Sequence, residues 1–398
     1  MAIVIKGARL FDGTGRAPLE RAVVIIEGQR TSAVGPEGQI AIPAGNATVI
    51  DAGGRMVLPA LMDCHAGLIR EPFGITQKEI AASTLRGAAR GRRCLDVGVT
   101  TLRTYHCAHE GIFALREAFA SGELEGPRLL LAGRAISGTG GHGWQFGNRE
   151  ADGADEVRKA AREQLKAGAD WIKLMATGGV LPPNERAGDE QMTVEELRAG
   201  VEEAHKKGRF ALAHISGAQG ARNCIAAGVD SFTHGLFLEE DVVRDMKAQG
   251  VFLVPTLSAY TRLLELGKKR EMPEYVYQKA QLAVASHKRS FQMALAAGVK
   301  IAAGTDSGHS HYPIGESIFS ELEIMNEYGM APMDVLMSAT SRAAELLRLT
   351  DDLGTLEAGK LADILIVEGD PVAKTSEIRK TWMVFKEGRV VFKQGAGS

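Results

Sequence analysis

The stretch Asp155–Met175, DEVRKAAREQLKAGADWIKLM, decides the fold. Up to Lys166 its apolar residues fall at helical spacing, and Gly168 stops the pattern. Trp171 to Met175 then reads as a buried strand, apolar except for Lys173. The unit repeats outward. Thr193 to Lys206 is a helix with a capping box between Thr193 and Glu196, followed by the strand Phe210 to Ala213. Further strands are Val229 to Thr233, Val251 to Val254 and Val299 to Ala303, the last preceded by a long helix from about Gln278 to Ala297. Upstream lie Arg128 to Ala132, Gly98 to Leu102 and Met56 to Met62. Strands alternating with amphipathic helices predict a parallel sheet, and about eight of them predict a closed (β/α)8 TIM barrel of class α/β.

The two ends have another texture. Ile3 to Ile5, Arg21 to Glu27, Thr31 to Val34 and Ala47 to Asp51 are short strands between Gly- and Pro-containing turns. The pattern returns at Ala362 to Val367, Trp382 to Phe385 and Val390 to Phe392. Neither end has much core of its own. The expected organisation is a composite β-sandwich of 1–56 with 357–398 around a barrel of 57–356.

Composition sets limits. A length of 398 residues fits one barrel of about 250 residues plus a small module. A formal net charge of -2 removes the case for a nucleic-acid partner. No run approaches the ~18 apolar residues of a membrane span, and the N-terminal apolar run is too short for a signal peptide. Cys64, Cys94, Cys107 and Cys224 form no CxxC pair and read as reduced thiols of a cytoplasmic protein.

The chemistry stands at the strand ends. His65, His214 and His234 end strands, Lys173 interrupts one, and Asp306 follows the last. Catalytic groups of such barrels come from those ends, and three imidazoles, a carboxylate and a lysine there suit a metal site. Each has a plainer reading: a strand-end histidine as a structural hydrogen-bonder, Asp306 as a helix cap. Lys173 resists one, because a buried unpaired ammonium is costly. Conversion to an anionic carbamate beside a metal would resolve that conflict.

Longer motifs surround these residues. They include Met56-Val57-Leu58-Pro59, Asp63-Cys64-His65, Gly98-Val99-Thr100-Thr101-Leu102-Arg103 and Thr139-Gly140-Gly141-His142-Gly143. Ile172 to Gly179, Ala213-His214, Thr233-His234-Gly235, Gly304-Thr305-Asp306 and Gly359-Lys360-Leu361-Ala362-Asp363 continue the series. Through them the chain resembles, nearly end to end, the amidohydrolase superfamily, in its imidazolonepropionase-like branch with Xaa-Pro and Xaa-Arg dipeptidases. The resemblance implies a metal-dependent hydrolase that cleaves an amide-type C–N bond of a small molecule by attack of metal-bound hydroxide. Substrates implied are a dipeptide, an N-acyl amino acid, a lactam or a carbamate. It assigns Lys173 as an N6-carboxylysine bridging two metals, His214 and His234 to one, and His65 with Asp306 to the other. Asp306 would also shuttle the proton. Zinc is the expected metal, as one or two ions, with other divalent transition metals as alternatives. The resemblance further implies a homo-oligomer.

Two departures matter. The family's first strand carries His-x-His, whereas this chain reads His65-Ala66-Gly67, so one ligand is missing and a mononuclear site is an open alternative. On the next strand the chain has Thr104-Tyr105-His106-Cys107 and then His109. His106, and after it His109, either replaces the lost ligand or binds substrate; the competing reading is a solvent-exposed loop histidine. His142, in a Gly-rich loop, is expected to contact substrate. His309, His311 and Tyr312 follow Asp306 and either line the pocket rim or form a surface loop, the preferred reading, and Gly178 to Gln191 reads as a lid. Rival functions are a lyase, decarboxylase or rearrangement on the same scaffold, motivated by the altered strands, and a binding protein without catalysis, motivated by the missing histidine.

Overall fold

The computed structural model describes residues 2–43, 45–69, 76–309 and 312–395. Its central strands run parallel in chain order. Leu61–Ala66, Val99–Thr104 and Arg128–Leu130 form one sheet; Trp171–Met175, Phe210–Gly217, Ser231–Phe237 and Phe252–Val254 are consecutive neighbours in a second. Single backbone contacts join these into a ring. Asp170 N–H donates to Leu131 O at 2.7 Å, linking the third strand to the fourth. Leu253 bridges Ile301, and Cys64 N–H donates to Ala303 O at 2.9 Å, so the eighth segment closes against the seventh and the first. The barrel is therefore complete, although its eighth member is held by bridges where the sequence predicts a strand over Val299 to Ala303.

Helices wrap the ring because one face of each is apolar. Gly153–Lys166 buries Val157, Ala160 and Ala161, and Val194–Lys206 buries Leu197, Val201 and Ala204. The predicted capping box is formed: Glu196 N–H donates to Thr193 Oγ1 at 3.3 Å, and Thr193 N–H donates to Glu196 Oε2 at 2.8 Å. Inside the ring, Met62, Trp171, Phe210, Leu212, Val254 and Ala302 pack as a solid plug. Trp171 and Phe210 lie nearly parallel, at 5° with centroids 6.2 Å apart. A filled barrel floor leaves the strand exits as the open end. No helix among the described residues is long and apolar enough to cross a membrane.

The chain ends meet in one mixed sheet. Ala2–Leu10 pairs with Leu19–Glu27, with Ala47–Asp51 and with Met56–Pro59; Ile364–Val367, Thr381–Lys386 and Arg389–Lys393 extend it. Ile5, Val24, Ile26, Val57, Ile364 and Phe385 form its own core, while Met56, Leu58, Leu365, Val367 and Val384 join the main core of the barrel.

One strand reading changes. Met56 to Met62 is two strands. Met56–Pro59 belongs to the terminal sheet, and Leu61–Ala66 is the first barrel strand. The handover is visible in hydrogen bonds: Ala60 N–H donates to Asp363 O in the terminal sheet, and Leu61 N–H donates to Gly98 O in the barrel. Both halves are buried, so the apolar pattern does not mark the switch.

Thr193→Ala removes the accepting oxygen of the capping box while leaving the helix face unchanged. Chemical denaturation should show a loss of about 1 kcal/mol. An unchanged midpoint and slope would mean the cap contributes nothing to stability.

Candidate active site

A cavity of about 410 Å³ opens at the strand exits, lined by His65, Lys173, His214, His234 and Asp306 among others. Residues spread over the chain thus face one space. His65 Nε2 lies 3.8 Å from Asp306 Oδ1. The His214 and His234 rings are 4.6 Å apart at 66°, and the His65 and His234 rings are 5.6 Å apart at 89°. His142, expected in the pocket, stacks on His214 at 4.3 Å.

Lys173 and His234 are held by hydroxyl partners behind them. Lys173 Nζ donates to Thr233 Oγ1 at 3.0 Å, and that hydroxyl donates to Ala213 O at 3.1 Å. His234 Nδ1 and Thr256 Oγ1 share a 2.7 Å hydrogen bond. With the proton on Nδ1, Nε2 keeps its lone pair for the cavity, the orientation a metal ligand requires. His287 Nε2 donates to His234 O at 2.9 Å. Thr305 Oγ1 donates to Asp63 Oδ2 at 2.7 Å, and the Thr305 and His65 N–H groups both donate to Asp63 Oδ1. That carboxylate therefore ties the exit of the first strand to the residue before Asp306.

The backbone is strained where function is expected. His234 and Asp306 have φ of 73° and 53°, and Thr256, the hydroxyl partner of His234, has 54°. Non-glycine residues rarely sit in this left-handed region, and such strain concentrates at functional sites. Close packing of the first and last barrel segments adds to it. At Gly308, φ 118°, a Cβ would lie 1.9 Å from Gly67 O. The backbone of Gly67 is itself in use, its N–H donating to Ser307 O at 2.9 Å.

Charge is set by burial. Desolvation pushes Lys173 down to about 7, helped by the nearby Arg103 guanidinium and opposed by Asp306. His214 and His234 are driven well below the ordinary imidazole value, first by burial and then by neighbouring cationic groups. The site thus favours neutral nitrogen donors. Among the described residues, no three His, Cys, Asp or Glu side chains form a metal cage. The donor set explains this: beside two imidazoles the third member is an amine, which becomes an oxygen donor only as a carbamate. With that change, Lys173, His214 and His234 fit the three protein ligands of an open catalytic site.

His106 lines the cavity, with both ring nitrogens engaged by backbone. Ala135 N–H donates to Nδ1 at 3.1 Å, and Nε2 donates to Phe146 O at 2.8 Å. The lone pair a cation would need is used by Ala135, so of its two expected roles the geometry supports wall and substrate contact. His109 is buttressed away from the cavity: its Nε2 pairs with Ser83 Oγ at 2.9 Å, and its Nδ1 accepts from Gly111 N–H. His142 Nδ1 donates to Glu185 Oε2 at 2.7 Å. Burial pushes the Glu185 carboxyl up, but His142 and the Gly179 N–H outweigh it and hold the carboxyl below its usual range.

The loop after the fourth strand is fastened from outside. Lys279 donates to Pro182 O and Glu185 O, and Tyr275 Oη to Leu181 O. The surface-loop reading of His309 and Tyr312 is corrected: His309 lines the cavity, and Tyr312 is buried beside Val180, Leu236 and Tyr260. His311 lies outside the described residues. Sequence reasoning missed Arg90, Tyr105 and Tyr260 on the wall, and Asp63, Thr256, Glu185, His287 and Glu321 behind it. Asp63 and Tyr105 stand inside motifs quoted above, without a role assigned there; the others sit among ordinary helix and loop residues, and nothing in their spacing singles them out.

Comparison with known proteins gives a consistent picture. The model of the amidohydrolase family matches residues 56–391. The ochratoxinase of Aspergillus niger is 29% identical over 431 residues, covering 99% of this chain and 87% of that protein. A crystal structure of a Xaa-Pro dipeptidase with methionine bound in its active site is 32% identical, with a TM-score of 0.90 over 98% of this chain and 99% of that one. A prolidase structure complexed with N-methylphosphonate-L-proline is 27% identical, with a TM-score of 0.87 over 99% and 100% of the two chains.

Glu321 supports one wall. It accepts from Leu257 N–H at 2.9 Å and from Ser258 N–H at 2.7 Å at the start of helix Leu257–Lys268, which carries Tyr260 and Leu263. Burial nevertheless pushes its carboxyl up to about 7. A carboxyl whose folded value lies above its unfolded value of about 4.3 binds more protons when folded, so stability falls as pH rises between those values. The expected loss is on the order of 2–3 kcal/mol from pH 4.5 to 7.5. Glu321→Gln should flatten that part of the stability–pH curve; an unaltered slope refutes the assignment.

Proposed function

This chain belongs to the amidohydrolase family and is a hydrolase of C–N bonds in small molecules, and we propose that it cleaves the amide of an amino acid at the cavity built around Lys173. The observation that carries this reading is the convergence of His65, Lys173, His214, His234 and Asp306 on one cavity. The family is generally metal-dependent, and the donor chemistry fits. Lys173, as N6-carboxylysine, with His214 and His234 would hold one divalent ion, zinc being the best match to imidazole and oxygen donors. His65 and Asp306, beside the same modified lysine, would hold a second. Gly67 supplies no side chain there, so that position is the weaker one. When bound, such an ion polarises the scissile carbonyl and makes water nucleophilic near neutral pH.

The chain's own groups do the rest. Lys173, held close to neutrality by burial, keeps the nitrogen lone pair that attacks carbon dioxide; the proton leaves and a carbamate anion remains. Asp306 sits at 25% side-chain exposure, 3.8 Å from His65. It is the carboxylate placed to accept the proton of the attacking water and return it to the leaving amine. His142, turned by Glu185, presents Nε2 to the substrate, as an acceptor for an N–H while the ring is neutral and as a donor to an oxygen once it is protonated. Met175, Val180, Leu181, Leu263 and Met272 exclude water on the other side.

Similarity to a Xaa-Pro dipeptidase and to an ochratoxinase supports amide bonds over other C–N bonds. Four buried cysteines, none in a disulfide among the described residues, support a reducing, cytoplasmic setting. Of the two altered strands that motivated the lyase reading, the second lends it no support, because His106 is tied to the backbone.

Metal-loaded protein should release free amine from Xaa-Pro dipeptides or N-acyl amino acids. Asp306→Asn should lower kcat by about 10²–10⁴ with the circular-dichroism spectrum unchanged. Lys173→Met should lose tightly bound metal as read by elemental analysis. Full metal retention in Lys173→Met, or full turnover in Asp306→Asn, would sink the mechanism.

A further inference from the structure

The charge of the cavity wall is one-sided. Its lining residues include six histidines, Lys173 and Arg90, against a single carboxylate, Asp306. Lys173 and the imidazoles other than His309 have roles described above. Arg90 has none. It lies on helix Gln77–Asp96, which follows the first barrel strand. Its Nη1 donates to Leu68 O at 2.6 Å, beside Gly67. Among the described residues no carboxylate lies within ion-pair distance of it, although its helix neighbour Arg92 pairs with Asp96 and Glu125.

A guanidinium stays charged at any physiological pH, and its planar fork matches a carboxylate with two parallel hydrogen bonds. Holding Nη1 on a backbone carbonyl fixes the plane and leaves other N–H groups for a ligand. Apolar lining is also present: Val180, Leu181, Leu263 and Met272 follow the fourth and seventh strands. An amphiphilic ligand therefore has one orientation, with its anionic end at the first-strand side and its apolar end under the loop after the fourth strand.

We propose that Arg90 anchors a free carboxylate of the substrate, so that the enzyme acts on the amide of an amino acid whose α-carboxylate is unblocked. This rests on the hydrolase reading above and deepens it. Neutral amides, ureas and carbamates of similar size lack the anchored group and are the poorer substrates.

The test uses calorimetric binding of N-acetyl-L-proline and N-acetyl-L-prolinamide to the metal-loaded protein. The carboxylate should bind about 10- to 100-fold more tightly than the carboxamide. Arg90→Met should abolish that preference, and Arg90→Lys, which keeps a point charge without the fork, should retain part of it. Equal binding of the two by the wild-type protein overturns the proposal without recourse to a variant, as does an undiminished preference in Arg90→Met. Amide turnover measured on the same samples separates the two readings. Turnover without discrimination leaves the hydrolase and removes the anchor; discrimination without turnover on any amide leaves the anchor and removes the hydrolase.

Discussion

An ammonium group cannot remain charged and unpaired inside a barrel. Lys173 sits in a fully buried strand, with one hydroxyl as hydrogen-bond partner and Arg103 as a like-charged neighbour. Burial and repulsion bring it down to about 7, against the attraction of Asp306. Everything around it is compatible with a neutral or anionic group at that place. Two imidazoles are kept unprotonated by the same desolvation, and Asp306 offers its carboxylate from the last strand exit. The N6-carboxylysine proposed above is the chemical form that removes the conflict.

That arrangement needs a rigid frame, which the molecule supplies from behind. Asp63 collects three donors and fastens the first strand to the eighth segment. Thr256 and His287 fix the ring and the carbonyl of His234. Glu321 holds the helix that follows the seventh strand. Left-handed backbone at His234, Thr256 and Asp306 persists because these contacts over-determine it. The floor is equally constrained: the Arg103 guanidinium donates to Cys64 O and lies 5.0 Å from the Trp171 ring centre. Burial lowers even this guanidinium, to about 10.

The terminal sheet serves the site indirectly. The strand Met56–Pro59 pairs with Ile364–Val367 and delivers the chain straight into the first barrel strand at Ala60. His65 is thereby positioned by an element formed from both ends of the polypeptide. Met56, Leu58, Leu365 and Val384 pack into the barrel's own core, so sheet and barrel share one apolar interior.

Periodicity and motif were enough to read the alternation of helix and strand, the barrel, and the five residues His65, Lys173, His214, His234 and Asp306. Each of these signals is local: an apolar run broken by a lysine, a histidine at a strand end, an aspartate after the last strand. Residues whose role depends on a distant partner were silent. Glu321 is one carboxylate of an ordinary helix until it meets the start of another, and Arg90 is one arginine among several on its own helix. His106 was visible as an imidazole, yet only folding brought Ala135 N–H and Phe146 O to its two nitrogens. The sequence by itself determined which chemical groups stand at the mouth of the barrel, because strand ends are encoded within a few residues. Tertiary structure alone decided which of them are neutral, which are already engaged and which face a ligand, because desolvation and hydrogen-bond saturation arise from residues far away along the chain.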